Sequence, residues 1–402
     1  MKYLSGMRFV RRRAALWMVS LAVLTAVGCG LSFGVDELTT SDAGPDTSPP
    51  DRPDGTLPDG ALPDGAPIDD ELIDDDASFP PSNIDAATGS FVLDAGTSLG
   101  AATEILALQP GSLTVSAGDG GTIDIPPEHV VLDPSCACLV VSIKDWTIPS
   151  GTKVTITQDV PVIFVASGEV KIDGTIVAKS LYAAKTKSDG LLSFGAASGA
   201  GGGGSATSGG TGGPGTGAAN AKTDGGAPYT FATRPWLGGH GGDTQSPDDT
   251  VPCGRGGVGG GGLQIYARSL RIGKGAVVSV AGAGGERTCF AGFGGAGGGA
   301  GGSVFVEGRL VRVAGAVLAT GGGGAGGGLG DGGAGGGTSG GQGGPAGGTG
   351  GDGGHGGDDT PPGDGGAGNR GGGGGGAAGG VFLRGLNVKT DAGTFVPAAK
   401  AP

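Results

Sequence analysis

The chain has 402 residues, of which 98 are glycine and only 5% are aromatic, and its formal net charge is −13. This glycine content lies far outside that of ordinary globular domains. The acidic balance, and the lack of a basic patch with interleaved aromatic residues, argue against a nucleic-acid partner.

Residues 1–28 have the three parts of an export signal. A start with five cations and no acid precedes an almost wholly apolar run from Ala14 to Val27. The run is too short to span a bilayer comfortably, and no stop-transfer charges follow it. These features predict a cleaved signal peptide rather than a transmembrane helix.

Ala26-Val27-Gly28-Cys29 resembles a bacterial lipobox, in which small residues precede the cysteine that is lipidated. The resemblance implies cleavage before Cys29, acylation of Cys29 and a membrane partner reached through that lipid. Gly30, in the sorting position, implies the outer membrane of a Gram-negative envelope. Ala26 departs from the leucine usual at its position, and an ordinary secretory signal with a chance cysteine is the alternative. Each buried methylene of an acyl chain contributes about 0.8 kcal/mol, so several chains make a firm anchor.

Residues 29–82 are acidic and rich in proline, aspartate and glycine. The segment contains fourteen acidic residues and one basic residue, Arg52. The tripeptide Pro-Asp-Gly occurs three times, beginning at Pro53, Pro58 and Pro63. Proline removes a backbone donor, and a self-repelling chain with few large apolar residues cannot offset its ordering entropy. We predict a disordered tether that holds the rest of the chain away from the membrane. The aspartates 74–76 lack the spacing of a calcium loop.

Residues 83–160 are predicted to form an N-terminal β region that caps or extends the part that follows. Short runs with β-branched residues read as strands. They lie at 112–115, 122–125, 139–143 and 154–156.

Residues 161–402 contain a repeat in four copies. Each copy is a strand, an apolar–polar–apolar strand, a glycine turn and a further strand, and the copies lie at 162–177, 263–278, 304–318 and 381–396. In each copy a central apolar residue lies ten positions before the turn glycine; these residues are Phe164, Ile265, Phe305 and Leu383. Strands this short cannot bury a core singly, but stacked copies can. We therefore predict an all-β fold with a short right-handed β-solenoid of the parallel β-helix type; a β-sandwich is the alternative.

Glycine-rich insertions separate the copies at roughly 179–262, 282–302 and 321–380. From Gly347 to Asp358 the sequence has a period of three, which is the period of a polyproline II helix. Glycine chains in that conformation could bond to one another. The insertions therefore form either polyglycine-II-like bundles or disordered loops.

This arrangement resembles the glycine-rich surface lipoproteins that are common in myxobacteria. The lipobox carries the resemblance together with strand–Gly–strand units followed by poly-glycine, as in Lys171-Ile172-Asp173-Gly174-Thr175-Ile176. It covers roughly 150–402, and it implies a location in the cell envelope but no activity.

The four cysteines after Cys29 suggest cross-links in an oxidising compartment. Cys253 and Cys289 flank the second repeat and could form a disulfide there. Cys136-Ala137-Cys138 could bind a metal, cross-link or stay reduced. Zinc would need two further ligands, and only His129 is near in sequence. We therefore predict no metal site and no cofactor.

Lys171, Arg271 and Arg312 hold the same place between two apolar residues in three of the copies. Because side chains alternate between the two faces of a strand, these cations could form one outward column. The column is either an ordinary solvated face or a contact for acidic surface polymers or for the chain's own tether.

The sequence shows no motif for nucleophilic catalysis or nucleotide binding. We predict a non-catalytic envelope protein with a structural, adhesive or matrix-binding role, with surface polysaccharide or other envelope proteins as partners. Two alternatives are a secreted protein without lipid and a polysaccharide-acting β-helix enzyme. Such an enzyme needs converging acids, whereas Glu169, Asp173 and Glu307 lie at unequal repeat positions.

Overall fold

In the computed structural model of the chain, twelve stretches are described. They are residues 79–82, 97–100, 102–108, 112–118, 120–181, 189–190, 197–216, 223–229, 234–245, 252–288, 292–390 and 392–401. All of them belong to one compact unit that spans 74–402. The predicted signal peptide, Cys29, most of the tether and Cys289 lie outside the described residues.

The prediction of an all-β fold is confirmed for the described residues, which form strands and one 3-10 turn, Pro127–His129, but no α-helix. None of these residues belongs to a helix with the length and hydropathy required to cross a bilayer. In chain order the strands are β1 (Ala102–Leu108), β2 (Ser112–Ala117), β3 (Thr122–Ile123), β4 (Val130–Asp133), β5 (Cys138–Ile143), β6 (Trp146–Ile148), β7 (Lys153–Gln158), β8 (Val162–Ile172), β9 (Thr175–Ser180), β10 (Thr244–Gln245), β11 (Pro252–Cys253), β12 (Gly262–Ile272), β13 (Val277–Ser279), β14 (Ser303–Val313), β15 (Ala316–Leu318), β16 (Gly380–Lys389) and β17 (Thr394–Val396).

Two large sheets, both mostly parallel, carry the fold. The eight-stranded sheet has the order β17-β15-β13-β9-β7-β1-β2-β3, and only β2 and β3 run antiparallel to their neighbours. The seven-stranded sheet has the order β16-β14-β12-β8-β5-β4, with β6 beside β8 and β4 antiparallel to β5. This arrangement is compatible with a β-helix-like class. The prediction of strands within 83–160 also holds at all four proposed places.

Each copy of the repeat gives one long strand to the seven-stranded sheet and one short strand to the eight-stranded sheet. The pairs are β8 with β9, β12 with β13, β14 with β15, and β16 with β17. The apolar residues that face inward from both sheets pack into a single core. Stacking the copies therefore buries side chains that no single copy could bury.

The predicted alignment of the third copy is wrong by one residue. Phe164 pairs with Ile265, and Ile265 pairs with Val306 rather than with Phe305. Val306 lies in the core, whereas Phe305 packs on the opposite face with Trp236. Because side chains alternate along a strand, a shift of one residue exchanges the two faces.

The predicted role of the turn glycines holds at one of the four positions. Gly275 has a φ of +83°, which other residues adopt only at a cost. Gly174 does not have a positive φ; a Cβ at that position would instead collide with the carbonyl oxygens of Thr152 and Pro149. Glycine is needed there because the backbones approach closely.

The described glycine-rich segments bond to one another with a period of three. In the central segment, residues 295–302, three successive amides (Gly297, Gly298 and Gly299) donate to three different segments. Their acceptors are the carbonyl groups of Gly242, Gly374 and Ala283. The amides of the next three residues donate to the same three segments, at the carbonyl groups of Gly239, Ala377 and Val280. The carbonyl groups of the central segment accept from three further segments, near residues 200–203, 257–260 and 322–325. Six neighbours therefore surround the central segment.

Candidate functional site

The outer face of the seven-stranded sheet brings the candidate residues together in three rows. Each row takes one residue from each of the four long strands, paired directly across the sheet. The apolar row is Ile163, Gln264, Phe305 and Phe382. The middle row is Val165, Tyr266, Glu307 and Arg384. The third row, which we call the cationic ladder, is Lys171, Arg271, Arg312 and Lys389.

The apolar row is covered by Trp236, which belongs to a glycine-rich segment. The rings of Phe305 and Phe382 stack with centroids 4.3 Å apart, and Trp236 meets Phe382 edge-on at 5.7 Å. Trp236 Nε1 donates to Ser205 Oγ at 2.9 Å, and the Trp236 amide donates to Ser303 Oγ at 2.7 Å. Trp236 therefore fastens the glycine-rich segments to the sheet through both its ring and its polar groups.

The middle row carries the short stretch 79–82, which we call the strap. The Ser82 amide donates to Glu307 Oε2 at 3.0 Å, and the Ser82 hydroxyl donates to Glu307 Oε1. Gln264 Nε2 donates to the same carboxylate at 3.2 Å, and Arg384 Nη1 lies 3.8 Å from it. Glu307 is fully buried, so these donors replace the water that its charge would otherwise require.

Aromatic contacts hold the other end of the strap. Phe79 contacts two side chains: the ring of Tyr266 is nearly parallel to it with centroids 6.4 Å apart, and the guanidinium carbon of Arg384 lies 4.4 Å from the Phe79 centroid. The Tyr266 hydroxyl donates to the Phe79 carbonyl group. Burial raises the pKa of Tyr266; Arg309 opposes this rise and Glu307 adds to it. Tyr266 thus remains a neutral donor at physiological pH.

The cationic ladder contains the three predicted residues and one more. Arg271 pairs with Lys171 on one side and with Arg312 on the other, and Arg312 pairs with Lys389. Arg312 and Lys389 are exposed, and Arg271 is half-buried. In the sequence, Asn387 lies between two apolar residues and so takes the polar place of the fourth copy, which concealed Lys389. In the structure Asn387 pairs instead with Leu310.

Among the described residues, only the first position of the ladder makes an ion pair. Lys171 Nζ lies 3.2 Å from Asp173 Oδ2. Within the described residues, the side chains of Arg271, Arg312 and Lys389 make no ion pair. Like charges directly opposite each other in a sheet are destabilising, so the fold tolerates a row of repulsive neighbours here.

The cysteines are placed in two different situations. Cys136 and Cys138 form a disulfide across Ala137, which has a φ of +52°. Of the three alternatives open for this pair, the structure therefore shows the cross-link. Cys253 lies in β11, but its side chain and Cys289 are outside the described residues.

A buried polar cluster lies where β9 meets the glycine-rich segments. Ser180 Oγ and His240 Nε2 are 3.2 Å apart, and the His240 amide donates to Asp189 Oδ1 at 2.8 Å. Burial lowers the pKa of His240, and the carboxylates of Asp189 and Asp243 partly oppose this shift. Ser180 is 2% exposed and donates to the Gly259 carbonyl at 3.0 Å, so a substrate could not reach its hydroxyl. The cluster therefore joins two elements and does not present a nucleophile.

Two surface pockets lie away from the ladder. One, of about 240 Å³, is lined by Cys136, Pro161, Tyr229, Arg234, Pro235, Trp236 and Leu237. The other, of about 450 Å³, is lined by Thr216, Gly328, Gly347, Gly348, Thr349, Gly350, Asn369 and Arg370. In the second pocket Asn369 Nδ2 already donates to Thr349 Oγ1 at 2.8 Å.

The three acids considered for a polysaccharide-acting enzyme are held in different ways. Glu307 is buried under the strap, Asp173 accompanies Lys171, and Glu169 pairs across the sheet with Ser269. Within the described stretches, no three histidine, cysteine or acidic residues are grouped in a way that could hold a metal ion.

No family model, no curated protein and no solved structure matches this chain.

Proposed function

We propose that this chain is an exported, lipid-anchored and non-catalytic protein of the bacterial cell envelope with a structural, adhesive or matrix-binding role. In this proposal Cys29 carries the lipid in the outer membrane, and the acidic segment separates the anchor from a rigid body. That body is a short right-handed β-solenoid with a polyglycine-II bundle packed against it.

The observation that carries the proposal is the hydrogen-bonded block of glycine-rich segments. Around residues 295–302 successive amides serve three neighbours in turn, which is the pattern expected of parallel-packed helices with three residues per turn. Alanines appear within the block, but most of its positions are glycine because a Cβ would meet the backbone of a neighbour, as at Gly298 and Gly376. Such a block is stiff and has few side chains with which to do chemistry, which suits a scaffold.

The solenoid part of the proposal rests on the repeated strand pairs. Four long strands and four short strands stack in parallel, and each copy passes from one sheet to the other through a short turn. Nearest-neighbour stacking of this kind is typical of solenoid proteins.

The disulfide between Cys136 and Cys138 supports export, because disulfides persist in oxidising compartments and are rare in the cytosol. The signal-like segment and the lipobox-like residues before Cys29 support lipid anchoring.

Intact-mass analysis of the chain extracted from the membranes of a Gram-negative host tests the anchor. We expect a mass that corresponds to residues 29–402 plus acyl chains. The matched control is Cys29→Ser, which should lose the acyl mass and leave the membrane fraction. An unacylated mature chain in the medium would make this a secreted protein and would contradict the lipid-anchored proposal.

A further inference from the structure

We propose that the cationic ladder (Lys171, Arg271, Arg312 and Lys389) is a binding site for an acidic polysaccharide, a linear polymer with repeating carboxylates. This inference rests on the proposed envelope function and names a ligand class for its matrix-binding role.

The geometry of the ladder fits an extended polymer that crosses the strands. Its residues lie on four adjacent parallel strands in direct register, so neighbouring cations are separated by about 4.8 Å and the row spans about 14 Å. Because the four residues pair directly across neighbouring strands, the row runs along one line across the sheet. A ligand that contacts all four positions must therefore be extended and must repeat its charge.

The charge pattern favours a bound polyanion over a solvated face. Within the described residues, Arg271, Arg312 and Lys389 have no carboxylate partner, although acids outnumber cations in the whole chain by 38 to 25. Directly opposed like charges in a sheet cost stability. The fold could relieve this repulsion with an acid two residues further along each strand, as Asp173 does for Lys171. The equivalent positions after Arg271 and Arg312 hold Gly273 and Ala314, and the one after Lys389 holds Asp391, which lies outside the described residues.

The chemistry of the cations favours carboxylates in particular. Two of the four are arginines, whose planar guanidinium groups bind carboxylates through two parallel hydrogen bonds. The exposed lysine at the end of the row adds a charge on a flexible stem, which tolerates variation in the polymer repeat.

The test is the binding of polygalacturonate to the full chain purified in detergent. The ladder variant is Arg271→Gln, Arg312→Gln and Lys389→Gln together; the matched control removes three exposed lysines elsewhere, as Lys153→Gln, Lys179→Gln and Lys400→Gln. Because the ladder variant loses three ionic contacts, it should bind about tenfold more weakly. The control should bind like the wild type, and a neutral glucan should not bind.

A second measurement shows that the ladder variant is folded. Because its mutual repulsion is removed, its urea midpoint should be equal to or above that of the wild type. Unchanged polygalacturonate binding by the ladder variant would overturn the proposal, as would equal loss in the control. Binding that appears only after the acids in 69–76 are replaced by amides would assign the ladder to the chain's own acidic segment, and would also overturn it. None of these outcomes depends on whether Cys29 is lipidated.

Discussion

At the scale of single residues, the buried polar groups of Glu307 and His240 are bonded to backbone or to charged partners. Glu307 is the strongest case, because a fully buried carboxylate receives donors from the strap, from Gln264 and from Arg384. His240 is buried where two elements meet and is held by its amide and by Ser180. Both residues join parts of the chain that are distant in sequence.

His240 should make stability depend on pH. Because burial lowers its pKa in the folded state, the unfolded chain takes up this proton more readily. The stabilising contribution of His240 is then complete at a pH above the pKa of about 6.5 that histidine has in the unfolded chain. It is lost as the pH falls below that value, by at most about 1.4 kcal/mol per pH unit.

Urea unfolding of the wild type and of His240→Gln between pH 7.5 and pH 5 measures this effect. Glutamine keeps a hydrogen-bonding group without the titration, so the advantage of the wild type should shrink on acidification. A difference between the two that stays constant over this range would show that His240 does not titrate as described.

Replacing Glu307 should be costly. In Glu307→Ala, Ser82 and Gln264 lose a charged acceptor, so the free energy of unfolding should fall by about 2–3 kcal/mol. Glu286→Ala is the control, since Glu286 is exposed and its loss should change stability by less than about 0.5 kcal/mol. Equal values for the two variants would mean that the strap does not stabilise the folded state.

At the scale of elements, contact between backbones explains why the glycine-rich segments contain so little else. A Cβ on Gly298 would collide with the carbonyl oxygen of Gly322, whereas nothing lies within 4 Å of a Cβ built on Gly337. Close backbone contact therefore requires glycine at Gly298, whereas the space around Gly337 would admit a side chain.

Alanine substitution separates these two constraints. Gly298→Ala should destabilise the chain by about 1–3 kcal/mol or more, because the segments must move apart. Gly337→Ala should be neutral or stabilising by up to about 1 kcal/mol, because it only restricts the unfolded chain. Urea unfolding measures the free energy of unfolding of the two variants. A similar decrease for both would argue against close packing at Gly298.

Trp236 joins the glycine-rich segments to the seven-stranded sheet. Trp236→Ala should cost about 3–5 kcal/mol, since it removes the ring that covers Phe305 and Phe382. Trp236→Phe keeps an aromatic ring but loses the bond to Ser205, so it should cost about 1 kcal/mol. Thermal or urea unfolding gives both values, and a small loss for the alanine variant would show that the segments hold to the sheet without this contact.

At the scale of the whole unit, the glycine-rich segments and the β core share one hydrogen-bond network. The central segment, which belongs to the second insertion, receives bonds from segments of the first and third insertions, so opening one segment exposes amides of the others. We expect the unit to unfold cooperatively rather than lose its insertions first.

Amide hydrogen exchange tests this expectation. Amides across 321–327 and 371–377 should be protected nearly as strongly as those of β12 and β14, because both sets are buried and bonded. Complete exchange of 321–380 within seconds, with β12 and β14 still protected, would show that these segments are loops.

The sequence by itself was enough to predict an all-β chain with four stacked strand units and to select Lys171, Arg271 and Arg312 as one set. Apolar alternation and repeated turns are local, and they persist whatever the neighbours are. It did not predict that Phe305 faces outward, that Lys389 extends the ladder or that the strap covers Glu307. Those features depend on the register between strands. A shift of one residue exchanges the two faces and a shift of two residues exchanges the partners, while the local pattern stays almost intact. The bonding among glycine segments was likewise decided by tertiary structure, since glycine has no side chain through which the sequence could specify its neighbours.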